Sequence, residues 1–427
     1  MAPESPDRRR FLKTAGGAVL ASALFTGDFH GANDRINLAF IGTGRMGSRN
    51  IGYAAQVPGF KTVAVCDVYR PTLASAAEKA SRLGRSAVKA VEDFREILAD
   101  KSIDAVSIAA PDHWHACMAI EACKAGKDVW VETPACVYVE EGVKMVEAAR
   151  RYQRVVQGGT VERSGGLSRQ VRAIVKRGEL GDIAFCHTFQ TISPDRAAFG
   201  NPPDADPPPG LDWDMWLGPA PKRPFNANRW SAFRHFWDYS GGAVTDEGVH
   251  LLDIVQSAFD EAMPGNVAAQ GGKFYVTGNT ETADTVQATY RYPGFVASYQ
   301  CRIGSAGDDD TCGAVFHGTR ATLAVNRSGY AIYPNQKGAA AQVVRHHEMA
   351  AANVAHWKNF RESVRSRRKP ASDIETCVRS TVTCLLANIA LRQGMNLRWD
   401  DRAFTVKQSE ARPFLKAPYR APWKLEV

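Results

Sequence analysis

Three glycines near the start of the chain are spaced Gly-x-Gly-x-x-Gly, a pattern that can bind phosphate groups. An apolar run of strand length, residues 37–41, leads into them, and a short helical segment follows. In a dinucleotide site the first glycine permits a tight turn, the second lets the backbone approach a pyrophosphate, and the third lets the helix pack against the strand. The helix N-terminus then presents unpaired N–H groups to the phosphates. The pattern predicts a dinucleotide-binding turn in preference to a plain strand–turn–helix connection, formed by Gly42, Gly44, Arg45, Met46 and Gly47.

An acidic residue follows at the distance that such a site requires. Asp67 ends a second apolar run, residues 61–66, and lies twenty residues after Gly47. Its carboxylate can accept hydrogen bonds from the adenosine ribose, and its charge would repel a 2′-phosphate. The sequence therefore predicts NAD as the cofactor in preference to NADP. Arg70 is close enough to join this part of the site, and its positive charge weakens the preference without reversing it.

Two further segments follow strand-like runs and carry polar or aromatic side chains. Residues 109–116 come after the run 105–108, and residues 132–134 come after the run 128–131. In an open α/β sheet ligands bind at the carboxyl ends of the strands, so both segments should face the nicotinamide half of a bound dinucleotide. An acid buried there without a ligand would be costly, so Glu132 should position the nicotinamide ribose or carboxamide. The predicted cofactor-binding residues of these segments are Ala110, Pro111, Trp114, His115, Glu132 and Thr133.

An aspartate and a histidine four residues apart, Asp246 and His250, follow a Gly-Gly pair. If this segment is helical, the carboxylate lies one turn before the imidazole and can orient it. Histidine accepts and donates protons near neutral pH, so the pair predicts an acid–base site. The alternatives are a histidine packed among apolar neighbours and an aspartate that caps a helix or forms a surface ion pair.

Three other side chains could contact a substrate near this pair. Trp237 could stack on the C–H face of a sugar, although core packing would explain it equally well. Tyr239 could supply a second acid–base group. Arg163 could bind substrate oxygens, or it could form a structural ion pair with Glu162 or an aspartate.

The elements that position these residues differ between the two halves of the chain. Residues 36–157 alternate strand-like and helical patterns, which predicts a parallel sheet with helices on both faces. Later, residues 286–292 and 295–302 alternate in polarity around Pro293-Gly294, and residues 314–318 and 321–326 flank another turn. The fold class is therefore α/β plus α+β, a Rossmann domain followed by a domain with a large, mostly antiparallel open sheet. The proline-rich residues 201–210 should form a surface loop without regular structure.

The first thirty residues have the pattern of an export signal. Arg8-Arg9-Arg10-Phe11-Leu12-Lys13 precedes an apolar stretch of small residues, which resembles a Tat signal peptide. That apolar stretch is too short to span the hydrocarbon core of a membrane as a helix. The sequence thus predicts a signal peptide at 1–30, a nucleotide-binding domain at 31–158 and a substrate-binding domain at 159–427. The predicted location is periplasmic or otherwise extracytoplasmic, with no stable membrane span.

Composition excludes several other classes of protein. The net charge is +8, but the one dense basic stretch is residues 365–369, so a nucleic-acid partner has little support. The nine cysteines include no Cys-x-x-Cys pair and read as buried thiols of a protein that folds in a reducing compartment. No histidine has partners at metal-ligand spacing, so no metal site is predicted.

The glycine turn, Pro111-x-x-x-His115, Glu132-Thr133-Pro134 and Asp246-x-x-x-His250 together resemble the motifs of the glucose–fructose oxidoreductase/inositol dehydrogenase (Gfo/Idh/MocA) family. The resemblance spans nearly the whole chain after the leader. Residues 359–370 and 418–423 are similar to an often exported bacterial branch of that family. The resemblance implies an NAD(P)-dependent oxidoreductase for a sugar or polyol, and a homodimer or homotetramer formed through the second sheet.

One residue departs from the family pattern. Where this chain has Thr133, the family has a lysine, thought to hydrogen-bond the reacting hydroxyl and tune removal of its proton. A threonine hydroxyl can hydrogen-bond but cannot hold a mobile charge at neutral pH. Either His250 suffices as the base, oriented by Asp246 while Thr133 and Tyr239 anchor the substrate, or the chemistry differs, or catalysis has been lost.

These interpretations give three hypotheses for function. The first is an exported NAD(H)-dependent oxidoreductase for a sugar or polyol hydroxyl, whose cofactor stays tightly bound because free NAD is scarce outside the cytoplasm. The second is a redox-neutral glycosidase, in which oxidation at C3 acidifies C2–H, the aglycone is eliminated, water adds and the carbonyl is reduced again. The third is a sugar-binding protein without catalytic activity.

Overall fold

A computed structural model describes residues 35–193, 199–304, 311–345 and 349–427. The predicted signal peptide, residues 1–30, lies outside the described residues. The described chain contains one parallel sheet in its first part and a larger mixed sheet in its second part. The predicted fold class is confirmed.

The first sheet contains six parallel strands in the order β3-β2-β1-β4-β5-β6. Its central strands are almost entirely buried, which explains their continuous apolar runs. The reversal of strand order next to β1 creates the crevice at which open α/β sheets bind nucleotides. The strands are β1 Ile36–Ile41, β2 Phe60–Cys66, β3 Lys89–Val91, β4 Ala105–Ile108, β5 Asp128–Val131 and β6 Val156–Gly158.

Five helices connect these strands and cover the sheet. They are α1 Arg45–Ala54, α2 Arg70–Gly84, α3 Phe94–Ala99, α4 Asp112–Lys124 and α5 Val139–Arg151. Helix α4 begins at Asp112, directly after Pro111. Proline fits at a helix start, because no helical partner is required for a backbone N–H there. The start at Asp112 places His113 and Trp114 in the first turn of the helix.

The second part begins with a 3₁₀ turn, Val161–Ser164, and then alternates short helices and strands. Its elements up to the large sheet hairpins are α6 Gly166–Lys176, β7 Ile183–Ile192, β8 Asp204–Ala205, α7 Trp213–Leu217, β9 Phe225–Asn226, α8 Ala227–Ser231, α9 Ala243–Asp246 and α10 Gly248–Ala258. The remaining elements are β10 Asn266–Gly272, β11 Thr285–Arg291, β12 Val296–Ile303, β13 Cys312–Gly318, β14 Ala321–Asn326, β15 Gly329–Pro334, β16 Gln342–Arg345, α11 Met349–Ser366, α12 Ile374–Gln393, β17 Leu397–Asp400 and β18 Thr405–Val406.

The large sheet has ten strands in the order β16-β15-β14-β13-β7-β12-β11-β10-β17-β18. Strands β7 and β12 are parallel, and the other neighbouring strands are antiparallel. The two predicted hairpins are confirmed as β11–β12 and β13–β14. The prediction that residues 201–210 lack regular structure is wrong at β8, whose two residues pair with β9. Two residues of a proline-rich loop can still pair with a strand, because neither of them is a proline and both keep their backbone N–H groups.

Helices from the second part pack against both sheets. The Trp130 ring of β5 stacks on the Trp357 ring of α11 with centroids 4.0 Å apart and planes 3° apart. Helix α12 is long and apolar enough to cross a membrane by length and composition, yet 78% of its most apolar window is buried inside the protein. All nine cysteines belong to the described residues, and each is buried and free of disulfide bonds.

Candidate active site

The glycine turn has the geometry of a phosphate-binding loop. Gly42 has φ +78°, and a Cβ there would lie 2.4 Å from the backbone nitrogen of Ala110. A Cβ on Gly47 would lie 1.9 Å from the carbonyl oxygen of Gly42, whereas Gly44 has open space on its Cβ side. No side chain caps the N-terminus of α1. Its first N–H groups are therefore available to phosphate oxygens, and the turn fits a dinucleotide.

Asp67 directly follows β2 and lies beside this turn. Its carboxylate accepts hydrogen bonds from the Thr43 backbone (2.7 Å), the Thr43 hydroxyl (3.0 Å) and the Tyr69 backbone (3.0 Å). Burial raises the pKa of Asp67, and these hydrogen bonds oppose that rise. The aspartate is thus held in one orientation toward the cavity that it lines.

A cavity of about 450 Å³ runs along the carboxyl edge of the first sheet. Eight predicted cofactor-binding residues line it, namely Gly42, Gly44, Arg45, Met46, Asp67, Ala110, Pro111 and Trp114. Gly47 lies behind the turn and shapes it. Arg70 does not line the cavity, because its guanidinium forms an exposed ion pair with Glu92 at 3.0 Å.

His115 does not line this cavity either, so that prediction is wrong. Its ring is buried, and its Nδ1 and Nε2 atoms lie 2.7 Å from the Pro134 carbonyl and 2.8 Å from the Ala110 carbonyl. Burial lowers the pKa of His115, and a neutral ring donates its one proton to one of these carbonyls. The imidazole therefore lies between the loops after β4 and β5 and donates a hydrogen bond to one of them.

Glu132 directly follows β5 and is held by two donors. Its Oε1 accepts hydrogen bonds from Asn50 Nδ2 (2.6 Å) and from Trp130 Nε1 (3.1 Å). Gly159 packs against the other carboxylate oxygen, since a Cβ there would lie 3.0 Å from Oε2. Contact of Glu132 with the nicotinamide half of a cofactor stays a prediction.

His250 is held between a hydroxyl and a carboxylate. Its Nε2 lies 3.1 Å from the Thr133 Oγ1, and its Nδ1 lies 3.1 Å from the Glu162 Oε2. Burial disfavours the charged ring, but the Glu162 carboxylate outweighs burial and raises the pKa of His250 to about 9. The same attraction holds the pKa of Glu162 below its usual range despite burial. At neutral pH the two groups form an imidazolium–carboxylate pair.

The expected pairing of Asp246 with His250 is wrong. Asp246 Oδ1 accepts a hydrogen bond of 2.8 Å from Arg234 Nε instead. The prediction assumed one continuous helix, but α9 ends at Asp246 and α10 begins at Gly248. The break at Glu247 removes the regular one-turn spacing between the carboxylate and the imidazole.

Arg163 is a structural residue, so its predicted substrate contact is wrong and the ion-pair alternative is confirmed. The guanidinium is buried and bonds Asp253 through Nε (2.9 Å) and Nη2 (2.7 Å), and Glu261 through Nη1 (2.6 Å). The 3₁₀ turn Val161–Ser164 makes neighbouring side chains diverge. Glu162 therefore reaches His250 while Arg163 enters the core.

Tyr239 and Trp237 also differ from their predicted roles. Tyr239 is fully buried in an aromatic cluster, 4.9 Å from the Trp216 ring, and burial raises its pKa to about 12. It cannot exchange protons with a substrate from there. Trp237 carries the Arg392 guanidinium 4.5 Å from its ring centroid, which covers one face of the indole. Trp237 lines neither of the two cavities described at the site, so its predicted contact with a sugar has no support.

Two residues that the sequence argument missed belong to the site. Glu162 follows β6 at the carboxyl edge of the sheet, so the rule that singled out the segments after β4 and β5 could have found it. Arg234 lines the nucleotide cavity and had no local signal in the sequence.

A second cavity of about 60 Å³ borders Glu162 and His250 and is also lined by Glu247 and Arg327, which form an ion pair of 2.5 Å.

Comparison with known proteins gives the same assignment for both parts of the chain. Residues 36–160 match the profile described as "Oxidoreductase family, NAD-binding Rossmann fold", and residues 201–425 match "Oxidoreductase family, C-terminal alpha/beta domain". The chain belongs to the Gfo/Idh/MocA oxidoreductase family. The predicted family and the predicted NAD-binding domain are confirmed.

Two curated relatives carry the name glycosyl hydrolase family 109 protein. The one from Shewanella sp. (strain W3-18-1) is 28% identical over 201 residues, 41% of this chain and 44% of the relative. The one from Shewanella baltica (strain OS155 / ATCC BAA-1091) is 30% identical over 154 residues, 35% of this chain and 34% of the relative. The chain thus spans less than half the length of these relatives.

Solved structures share the fold over most of the chain. An oxidoreductase domain protein from Kribbella flavida has a TM-score of 0.69 at 15% identity, covering 85% of this chain and 99% of its own. The WlbA dehydrogenase from Bordetella pertussis, in complex with NADH and UDP-GlcNAcA, has a TM-score of 0.67 at 18% identity, covering 86% and 98%. Levoglucosan dehydrogenase, in complex with NADH and levoglucosan, has a TM-score of 0.66 at 18% identity, covering 84% and 96%.

The position of Arg163 leads to a stability prediction. Arg163→Met leaves the Asp253 carboxylate buried without its cation, so the free energy of unfolding should fall by about 3–5 kcal/mol. Denaturant unfolding of the purified variant measures this loss. Arg70→Met is the matched control, because the exposed pair with Glu92 should contribute no more than about 1 kcal/mol. Unchanged stability together with a raised KM for a substrate would contradict the structural role.

Proposed function

We propose that this protein oxidises a CH–OH group of a sugar or polyol with a retained NAD, and that His250 is its acid–base residue. The observation that carries the proposal is the double hydrogen bond of His250, whose Nε2 faces Thr133 and whose Nδ1 faces Glu162. Thr133 follows β5, at the carboxyl edge where the first sheet binds its nucleotide. The sugar complexes of the structurally similar dehydrogenases support the substrate class.

The residues of this chain divide the work of the reaction. Glu162 holds the imidazole through Nδ1, which leaves Nε2 to take the proton from the substrate hydroxyl. Thr133 Oγ1 can hydrogen-bond the same hydroxyl and keep it near Nε2. The glycine turn and Asp67 would hold NAD, which would supply the acceptor for the hydride of the substrate carbon. The alcohol thereby becomes a carbonyl, with one proton on His250.

The protonation state of His250 determines the direction that it favours at neutral pH. With a pKa of about 9 the ring is charged, so it can donate a proton to a carbonyl oxygen during reduction. Oxidation needs the neutral ring, whose fraction grows as the pH rises toward 9. The same imidazole can therefore keep the proton between an oxidation and a following reduction on one bound cofactor.

The pH dependence of oxidation tests the role of Glu162. We expect kcat/KM for oxidation to rise with pH and to level off above an inflection near pH 9, here called the limb. Only neutral His250 accepts the proton. In Glu162→Gln, burial of the ring is no longer opposed by the carboxylate, so the limb should move to lower pH by about two units. Asp246→Asn is the matched control, because Asp246 bonds Arg234 and should leave the limb in place. A limb that moves in the Asp246 variant and stays in the Glu162 variant would contradict the assignment.

A redox-neutral glycosidase is the second candidate. It is favoured by Thr133 at the position of the family lysine, and by relatives named glycosyl hydrolase family 109 proteins. This chemistry needs no external redox partner, since oxidation, elimination, addition of water and reduction leave the cofactor as it began. Bound nucleotide would be catalytic in such a cycle.

A product screen separates the two candidates. Protein purified with its nucleotide should accumulate NADH with a free sugar or polyol if it is a net oxidoreductase. Release of p-nitrophenol from a glycoside with catalytic NAD would favour the glycosidase. In either case His250→Asn should lower kcat by about 10²- to 10⁴-fold, because proton transfer loses its acid–base group. Bound NADH without turnover of any compound would leave only the sugar-binding hypothesis.

We also propose that two copies associate through the outer face of the large sheet. Five side chains lie in one cross-strand row on that face, namely Tyr333, Thr322, His317, Phe185 and Val296. None of these side chains carries a fixed charge, and Phe185 and Tyr333 are exposed by 39% and 49%.

Phe185→Glu should convert a dimer or tetramer into a smaller species in light scattering after gel filtration. Phe274→Glu, an exposed aromatic outside the row, is the control, and a monomeric wild type would contradict the proposal.

Export through the Tat pathway to the periplasm or another extracytoplasmic space is a further proposal, supported by the twin-arginine pattern of residues 8–13. Such a route would carry a folded protein with its cofactor already bound. Fractionation of cells with and without a functional Tat system tests it, and equal amounts outside the cytoplasm in both would contradict it.

A further inference from the structure

Residues 210–233, here named the cover, lie against the loop that carries Asp67. The backbone N–H of Arg70 donates to the Gly210 carbonyl (2.9 Å), and that of Asp212 donates to the Val68 carbonyl (3.0 Å). This loop belongs to the nucleotide-binding part of the chain, and the cover comes from the second part. The two segments are therefore joined by backbone hydrogen bonds at the adenosine end of the predicted site.

An aromatic cluster extends this junction. Tyr69, two residues after Asp67, packs its ring edge-on against Trp230 with centroids 5.1 Å apart. Val68 and Tyr69 both pack on the buried cluster formed by Leu211, Trp213, Trp216, Leu217, Ala220, Phe225, Phe236 and Tyr239. Moving the cover away from the Asp67 loop would expose part of this cluster to water, which strongly disfavours opening.

The cover is tied to the second cofactor loop as well. The Trp216 carbonyl accepts a hydrogen bond of 2.9 Å from Trp114 Nε1, and His113 Nε2 lies 3.1 Å from the same oxygen. Trp114 and His113 are in the first turn of α4, directly after the strand whose end lines the cavity. Two of the segments that line the nucleotide cavity, the loop that carries Asp67 and the first turn of α4, are thus hydrogen-bonded to the cover.

Side chains of the cover form one wall of the nucleotide cavity. Met215, Trp216, Trp230, Ser231 and Phe233 line it together with Asp67 and the glycine turn. Trp230 offers an aromatic ring, and Ser231 a hydroxyl, on the same wall as Tyr69. An aromatic ring beside the ribose-binding aspartate suits stacking on an adenine base, which has a π-face but needs no charged partner.

The C-terminal tail, residues 417–427, braces the outside of this wall. Arg420 donates to the Gly218 carbonyl (3.1 Å) and to the Asp214 carboxylate (2.8 Å), both within the cover. The Trp423 ring meets the Trp114 ring edge-on, with centroids 4.7 Å apart. The tail therefore contacts both the cover and the first turn of α4.

We propose that the cover, braced by the tail, keeps NAD bound between catalytic cycles, and that Trp230 and Ser231 complete its adenosine-binding site. The inference rests on the proposed function only in taking NAD(H) as the nucleotide. It gives a structural cause for cofactor retention, because release requires the cover to separate from two loops that it holds through backbone bonds and buried rings.

The rate of NADH release tests this proposal. The full-length holoprotein is loaded with NADH, chased with excess NAD, and followed by NADH fluorescence. Trp230→Ala should release NADH about tenfold faster than wild type, the loss expected when one aromatic stacking partner of a base is removed. Trp423→Ala should change the rate in the same direction, although Trp423 does not line the cavity. Phe274→Ala, an exposed aromatic outside the cover and the cavity lining, should release NADH at the wild-type rate.

The outcomes separate this proposal from the proposed function. Wild-type release rates in both tryptophan variants, at unchanged melting temperature, would overturn the role of the cover. If wild type binds no NADH, the cover and the proposed function both fail. If the release rates change as expected while no sugar, polyol or glycoside is turned over, the cover stands and the proposed function fails.

Discussion

The site depends on one interaction, the contact between the buried imidazole of His250 and the carboxylate of Glu162. An isolated histidine in this position would be neutral, because burial disfavours its charged form. The carboxylate reverses that preference and fixes which nitrogen faces Thr133. Orientation and charge of the imidazole therefore have a single cause, and both depend on how the chain turns after β6.

That turn also explains how the protein holds several buried charges near one another. Glu162 and Arg163 are neighbours in sequence, yet each has its own partner of opposite charge, His250 for the first and Asp253 for the second. If the two neighbours had paired with each other, the imidazole would have been neutral and the Asp253 carboxylate would have been left without its cation. Buried ions without partners are costly, so this division is a condition for folding as well as for chemistry.

The first part of the chain was predictable nearly in full, because its determinants are local. Buried parallel strands require continuous apolar runs, and the turn after β1 requires glycine at positions where a Cβ would meet backbone atoms less than 3 Å away. Asp67 follows from the same geometry, since the end of β2 lies beside that turn. Family motifs extended the argument to Thr133 and His250, whose mutual contact they could not show.

The errors share a different cause. Asp246 and Tyr239 were assigned by their distance along the chain from His250, and the helix break at Glu247 and the aromatic cluster direct them elsewhere. His115 matches a motif, but its buried ring lies between two carbonyls from separate loops. Each of these outcomes depends on a partner far away in sequence, which composition and periodicity do not encode.

By itself the sequence therefore determined the nucleotide-binding scaffold, the order of its two parts and the identity of the central histidine, because strand periodicity and tight turns are set by adjacent residues. Tertiary structure alone decided which carboxylate charges that histidine, which arginine is structural, and which residues of the second part line the nucleotide cavity. Those features join residues 88 or more positions apart, such as Glu162 and His250, and only the tertiary fold brings them within hydrogen-bonding distance.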